Sequence, residues 1–80
     1  MDIKVFMTNK CSYIPNGTEI YNNVDELEFD DEFGLSFVAD FCTIPVSRKS
    51  YRFKPFEIEK FQIGDFSKEI YRTYTAMMKD

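Results

Sequence analysis

Leu35-Ser36-Phe37-Val38-Ala39-Asp40-Phe41-Cys42 is the stretch that decides the fold, because its apolar side chains recur at every second position. Successive side chains of an extended chain point to opposite faces, so this stretch predicts a strand with Leu35, Phe37, Ala39 and Phe41 all on the core side. A slip of one residue would expose all four together, which fixes the register. Just upstream, Asp30 to Gly34 supplies turn residues, and Val24, Leu27 and Phe29 give the apolar side of a preceding strand with Glu26 and Glu28 on its exposed side. The two strands form a hairpin.

Further upstream, Ile3, Val5 and Met7 alternate with Lys4, Phe6 and Thr8, and Pro15-Asn16-Gly17 reverses the chain before Thr18-Glu19-Ile20-Tyr21. Asn22-Asn23 is a second turn signal. Downstream, Thr43 to Ser50 holds Pro45 and the Arg48-Lys49 pair and reads as an exposed loop. Tyr51 and Phe53 then share one face, with Arg52 and Lys54 on the other. Pro55 removes a ladder donor and resets the pattern to Phe56 and Ile58, then Phe61 and Ile63, as in a long bulged edge strand or two short strands. Asp65 is placed to cap a helix, and Phe66, Ile70, Tyr74 and Met77 or Met78 follow at helical spacing. The expected fold is α+β: a small antiparallel β-meander of roughly four to six strands with one C-terminal α-helix.

With 80 residues the chain is expected to form a single domain, residues 1–80. Nine Phe and five Tyr give it large side chains with which to build a core at that length. No apolar run reaches the ~20 residues of a membrane span, and the first residues do not read as a leader, so a cytoplasmic protein is expected. His is absent, which removes the usual neutral-pH acid/base and the commonest zinc ligand, and an enzyme is not expected. Cys11 and Cys42 lack redox or structural-zinc spacing and are expected to be free thiols, and no cofactor or metal is implied. Asn16-Gly17-Thr18 matches a glycosylation sequon but serves as a turn.

The charge is lopsided. From Cys11 to Ser47 there are eight acidic residues and no Lys or Arg, whereas the cations gather from Arg48 onward. Pairing of the two halves across a sheet would neutralise part of this; a surface that steers a basic partner would use it. The densest cluster is Asp25, Glu26, Glu28, Asp30, Asp31 and Glu32. It lacks the ligand offsets of a calcium loop, and its crowding on an exposed hairpin does not suit a glycosidase acid pair. Glu26, Glu28, Asp30, Asp31 and Glu32 are therefore the candidate partner-binding residues, presenting negative charge to a basic groove. Arg48 to Lys54 interleaves cations with Tyr51 and Phe53, the elements of a single-strand platform, but strand alternation separates rings from charges and the net charge of -4 disfavours direct nucleic-acid binding. Tyr71, Tyr74 and Met78 on the expected helix form an alternative interface, which leaves room for a homodimer.

In its acidic run Asp25 to Glu32 and its Asn-, Lys-, Phe- and Tyr-rich composition, the chain resembles small acidic inhibitor proteins of bacteriophages, including anti-CRISPR proteins and DNA mimics. The cationic half beginning at Arg48 departs from a pure DNA mimic. The resemblance implies a noncatalytic protein-binding module in the host cytoplasm that occludes a nucleic-acid-binding surface of a host protein. The alternatives are a small structural or assembly subunit that self-associates, and a weak single-stranded nucleic-acid binder using residues 48–54.

Overall fold

The computed structural model describes residues 1–75, and within them the chain runs β1 (Asp2–Met7), β2 (Thr18–Tyr21), β3 (Asp25–Asp30), β4 (Gly34–Thr43), β5 (Val46–Phe53), β6 (Ile58–Asp65) and β7 (Ile70–Thr75). One antiparallel sheet has the order β2-β1-β6-β7 and the other the order β3-β4-β5. A single 3-10 turn, Pro55–Glu57, joins β5 to β6 where the chain passes from one sheet to the other. It is the turn that Pro55 imposes.

The inner faces of the two sheets share one core. Ile3, Val5 and Met7 of β1 lie in it with Ile58 and Phe61 of β6, and across from them lie Leu35, Phe37 and Ala39 of β4 with Phe53 of β5. Tyr21 of β2 reaches between the sheets, its ring centroid 5.1 Å from that of Phe37 and 4.5 Å from that of Tyr51. Phe29 of β3 meets Phe61 of β6 at 5.1 Å on the same principle. Burial of these rings is the main favourable term, at about 25 cal/mol per Å² of apolar surface removed from water.

The register of β4 agrees with the alternation from Leu35 to Ala39, each of which is fully or almost fully buried. Phe41 departs from it. Asp40 pairs with Arg48 but Cys42 pairs with Ser47, so β4 carries one extra residue at Phe41, and the ring is 59% exposed. A bulge leaves the extra residue unpaired and re-aims it, and this one lies beyond the end of the inward row. Gly34 opens β4 with φ +95, and a Cβ there would overlap the carbonyl oxygen of Phe53, so only glycine fits this close approach of two strands.

Two further expectations are corrected. Val46–Phe53, mostly assigned to a loop by its sequence, is a strand, paired with β4 from Thr43↔Val46 to Leu35↔Phe53. Ten residues of β4 offer backbone groups to a neighbour, and a tight turn at Ile44-Pro45 returns the chain alongside to satisfy them. The expected C-terminal helix is absent from the described residues, so the class is all-β with two antiparallel sheets and not α+β. Asp65 does accept from the backbone N–H groups of Ser67 (3.1 Å) and Lys68 (3.3 Å), but as the first residue of a hairpin turn that Glu69 closes at φ +56. The Ser67 hydroxyl donates to the same carboxylate and, with those N–H groups, holds its pKa below the usual carboxylate value. Beyond the turn, Ile70-Tyr71-Arg72-Thr73-Tyr74-Thr75 is rich in β-branched and aromatic residues and pairs with β6 from Asp65↔Ile70 to Lys60↔Thr75. Met77 and Met78 lie outside the described residues. No helix among those described is long and apolar enough to cross a membrane.

Candidate functional site

The acidic residues sit on β3, the turn after it, and the outer face of the β3-β4-β5 sheet. Asp25 pairs with Val38 and Glu28 with Ser36, so β3 also carries an extra residue, and Glu26 occupies the bulge at φ +53. The bulge is what allows Val24 to be buried and Leu27 half-buried on the same side, although they are three positions apart. It also swings Glu26 beside Glu28 on the outside.

Glu28, Ser36 and Arg52 form one row across the outer face, and Asp25, Val38 and Ser50 the next. Short side chains at Ser36, Val38 and Ser50 leave the middle of the face low. Glu26 and Glu28 on one side and Arg52 on the other stand above it and enclose an open recess of about 530 Å³. One wall is anionic and the other cationic.

Neutralisation is local. Arg48 donates to Asp40 at 2.7 Å and to Asp25 at 2.7 Å, and Asn23 donates to the other oxygen of Asp40. The Asn23 amide first and the Arg48 guanidinium second hold the Asp40 carboxyl below its ordinary pKa. Among the described residues, Glu26, Glu28, Asp30, Asp31 and Glu32 take part in no ion pair. Cross-strand neutralisation thus consumes Asp25 and Asp40 and leaves the five candidate acids with uncompensated charge.

The five are not equivalent. Asp30 accepts from the backbone N–H groups of Glu32 (2.7 Å) and Phe33 (3.1 Å), so its carboxylate builds the turn. Asp31 and Glu32 are exposed at the apex beside Phe33, which is 74% exposed. Glu26 and Glu28 face the recess. Among the described residues no group of three or more His, Cys, Asp or Glu is arranged to hold a metal ion.

Tyr71 and Tyr74 of the alternative interface lie on opposite faces of β7. Tyr74 opposes Phe61 on the inner face of its sheet and stacks on it at 5.2 Å, whereas Tyr71 opposes Gly64 on the outer face, near Phe66. A helix would have placed residues 71 and 74 together; a strand separates them. Met78 lies outside the described residues. Along residues 48–54, Tyr51 and Phe53 turn inward and Arg48 and Arg52 outward, as alternation requires, and Lys49 is the cation that shares the ring side, its ammonium 5.4 Å from the centre of the Tyr51 ring. Cys11 is a buried free thiol and Cys42 an exposed one.

Two features lie outside the sequence-derived site, one exposed and one half-buried. Phe41, Ile44 and Val46 form an apolar tip on the β4-β5 hairpin, signalled by two apolar residues flanking Pro45. Phe6, on the outer face of the other sheet, lies between the ammonium groups of Lys60 (4.7 Å) and Lys4 (5.5 Å). Comparison with known proteins finds no matching family model, no matching curated protein and no matching solved structure.

Proposed function

We propose that the protein is a noncatalytic binding module whose acidic hairpin takes up basic side chains of a partner protein. The carrying observation is that Glu26 and Glu28 wall an open recess and have no cationic neighbour within ion-pairing distance among the described residues. A Lys or Arg of the partner entering the recess would pair with them, and the small floor residues Ser36 and Ser50 would offer it hydroxyl acceptors. Asp31 and Glu32 at the apex extend the negative field, with exposed Phe33 next to them in the chain as an apolar anchor. The partner surface that suits such an array is one that otherwise binds nucleic acid. This agrees with the resemblance to phage inhibitor proteins and with action in the host cytoplasm.

The test compares the protein with a Glu26→Lys/Glu28→Lys/Asp31→Lys variant as bait in a bacterial lysate at two salt concentrations, followed by binding measurements on the captured protein. Asp30 is spared because it shapes the turn. Binding is expected to weaken with salt, since exposed charges are screened beyond about 8 Å at physiological ionic strength, and to be displaced by DNA or RNA. Equal affinity of the two baits at low salt would overturn the acidic-hairpin mechanism.

A further inference from the structure

We infer that the open edge of β5 is a strand-addition site for an extended segment of another protein whose side chains alternate acidic with apolar. This surface shares Ser50, Tyr51 and Arg52 with the rim and floor of the acidic recess, but it is the backbone edge of β5 and does not rest on the role proposed for Glu26 and Glu28.

The two edges of the three-stranded sheet differ. On one side β3 is bulged at Glu26 and carries Asp25, Glu28 and Asp30, features that interrupt pairing with a further strand. On the other side β5 runs for eight residues, is hydrogen-bonded to β4 alone among the described strands, and has Arg48, Lys49 and Arg52 with no acid. Backbone groups directed away from β4 along such an edge have no partner among the described strands, and an incoming strand would satisfy them.

A groove of about 280 Å³ follows this edge. Five consecutive residues, Lys49 to Phe53, line it on one side, Ser12 and Tyr13 of the β1-β2 connection line the other, and at one end stands Glu57, whose carboxylate accepts from the backbone N–H of Lys54 at 2.8 Å. Consecutive residues of a strand point to alternate faces, so lining by all five means that the edge itself, and not one face, opens into the groove. The edge is also held firmly, because Arg48 is tied through Asp40 to β4 and through Asp25 to β3.

Charge selects the occupant. On the outer face Arg52 has no ion-pair partner among the described residues, and on the inner side neither has Lys49, whose ammonium lies over the rings of Phe41 and Tyr51. A strand laid against β5 would place acidic side chains opposite Arg52 and apolar ones over half-buried Tyr51 and beside exposed Tyr13. A second copy is a poor occupant. Pairing β5 with β5 sets cations against cations, and pairing β5 with the oppositely charged β3 of another copy meets the bulge at Glu26.

The probe is a capped peptide of about ten residues alternating Glu with Val, long enough to span β5 at roughly 3.3 Å per residue. Controls are the same peptide with Lys for Glu, and one N-methylated at alternate backbone positions so that it cannot complete a ladder. Binding is followed by NMR amide shifts and hydrogen exchange on the full chain. The Glu peptide is expected to shift amides of Ser47 to Phe53, to protect alternate amides of β5, and to bind about tenfold tighter than the Lys peptide. Arg52→Glu should remove that preference, and Arg52→Gln should reduce it, while both leave unperturbed the amide spectrum of the opposite sheet. Equal binding of the Lys or the N-methylated peptide would overturn the proposal, as would shifts confined to the β2 or β7 edge. So would protection of the β5 edge in free protein together with a doubled mass, the signature of a second copy on that edge.

Discussion

Tyr21 offers the sharpest test of the core. Its ring is 7% exposed and packs between Phe37 and Tyr51, yet its hydroxyl is buried with no hydrogen-bond partner among the described residues. A buried polar group left unpaired costs about 1–3 kcal/mol relative to water, while the ring contacts that Tyr21 makes are all available to phenylalanine. Tyr21→Phe is therefore expected to stabilise the protein by about 1–2 kcal/mol. In urea denaturation a protein of this size unfolds with a slope of roughly 1 kcal/mol/M, so the midpoint should rise by about 1 M or more at unchanged slope. A second readout comes from pH. Burial pushes the Tyr21 phenol well above its ordinary value of 10.0. A raised folded-state pKa means that the native state keeps its proton longer than the unfolded state, so stability is fully present below pH 10 and falls as pH rises above it. Tyr51 is raised in the same sense, chiefly by desolvation, and contributes a smaller part. The variant should lose most of this alkaline loss of stability. A fall in midpoint at neutral pH would refute the reasoning, because it would show the hydroxyl to be paired and the ring space to be shaped for it.

Phe37 and Phe41 share one sequence pattern and two environments, 2% and 59% exposed. Phe37→Ala should cost about 3–5 kcal/mol and Phe41→Ala about 0.5 kcal/mol or less, as read by thermal or urea unfolding, and similar losses would place both rings in the core. Asp40 is held below its ordinary pKa of 3.8 by Asn23 and Arg48, so its contribution is present above that value and is lost as pH falls below it. Asp40→Asn should flatten the acid limb of the stability curve, and an unchanged limb in acid titration of the two proteins would show that this cluster does not couple to folding.

What the sequence reveals depends on whether a spacing has one structural meaning or two. Leu35, Phe37 and Ala39 repeat at two and fit only a strand, and they occupy one. Phe66, Ile70 and Tyr74 repeat at four, which keeps residues on one face of a helix but equally on one face of a strand, because four is a multiple of two. Ile70 and Tyr74 do share the inner face of β7. Only the β-branched and aromatic make-up of residues 70–75 distinguishes the outcomes, and the helical period conceals it. A spacing of three is equally telling. Val24 and Leu27, and again Ile58 and Phe61, turn to the same side across three positions, and the register shifts there, with extra residues at Glu26 and Glu59. Apolar residues three apart within an otherwise extended stretch are thus a readable mark of a bulge. The start of β5 carries no such mark, since its side chains from Val46 to Ser50 are largely exposed and the strand exists to satisfy β4.

The acidic cluster was legible from composition, but the recess was not, because it is made by Glu28, Ser36 and Arg52 meeting from three separate segments. Their meeting follows from the order of charge along the chain. A meander lays successive segments side by side, so an acidic segment, a nearly neutral one and a basic one become the two edges and the centre of a single sheet. With β4 between them, most charges on β3 and β5 lie too far apart to pair, and the long Arg48 side chain reaches across to Asp25 where Glu28 and Arg52 remain separate. The asymmetry of the sequence therefore survives folding as a charge difference across one small sheet. One edge is bulged and anionic, suited to basic side chains, and the other regular and cationic, suited to an acidic strand.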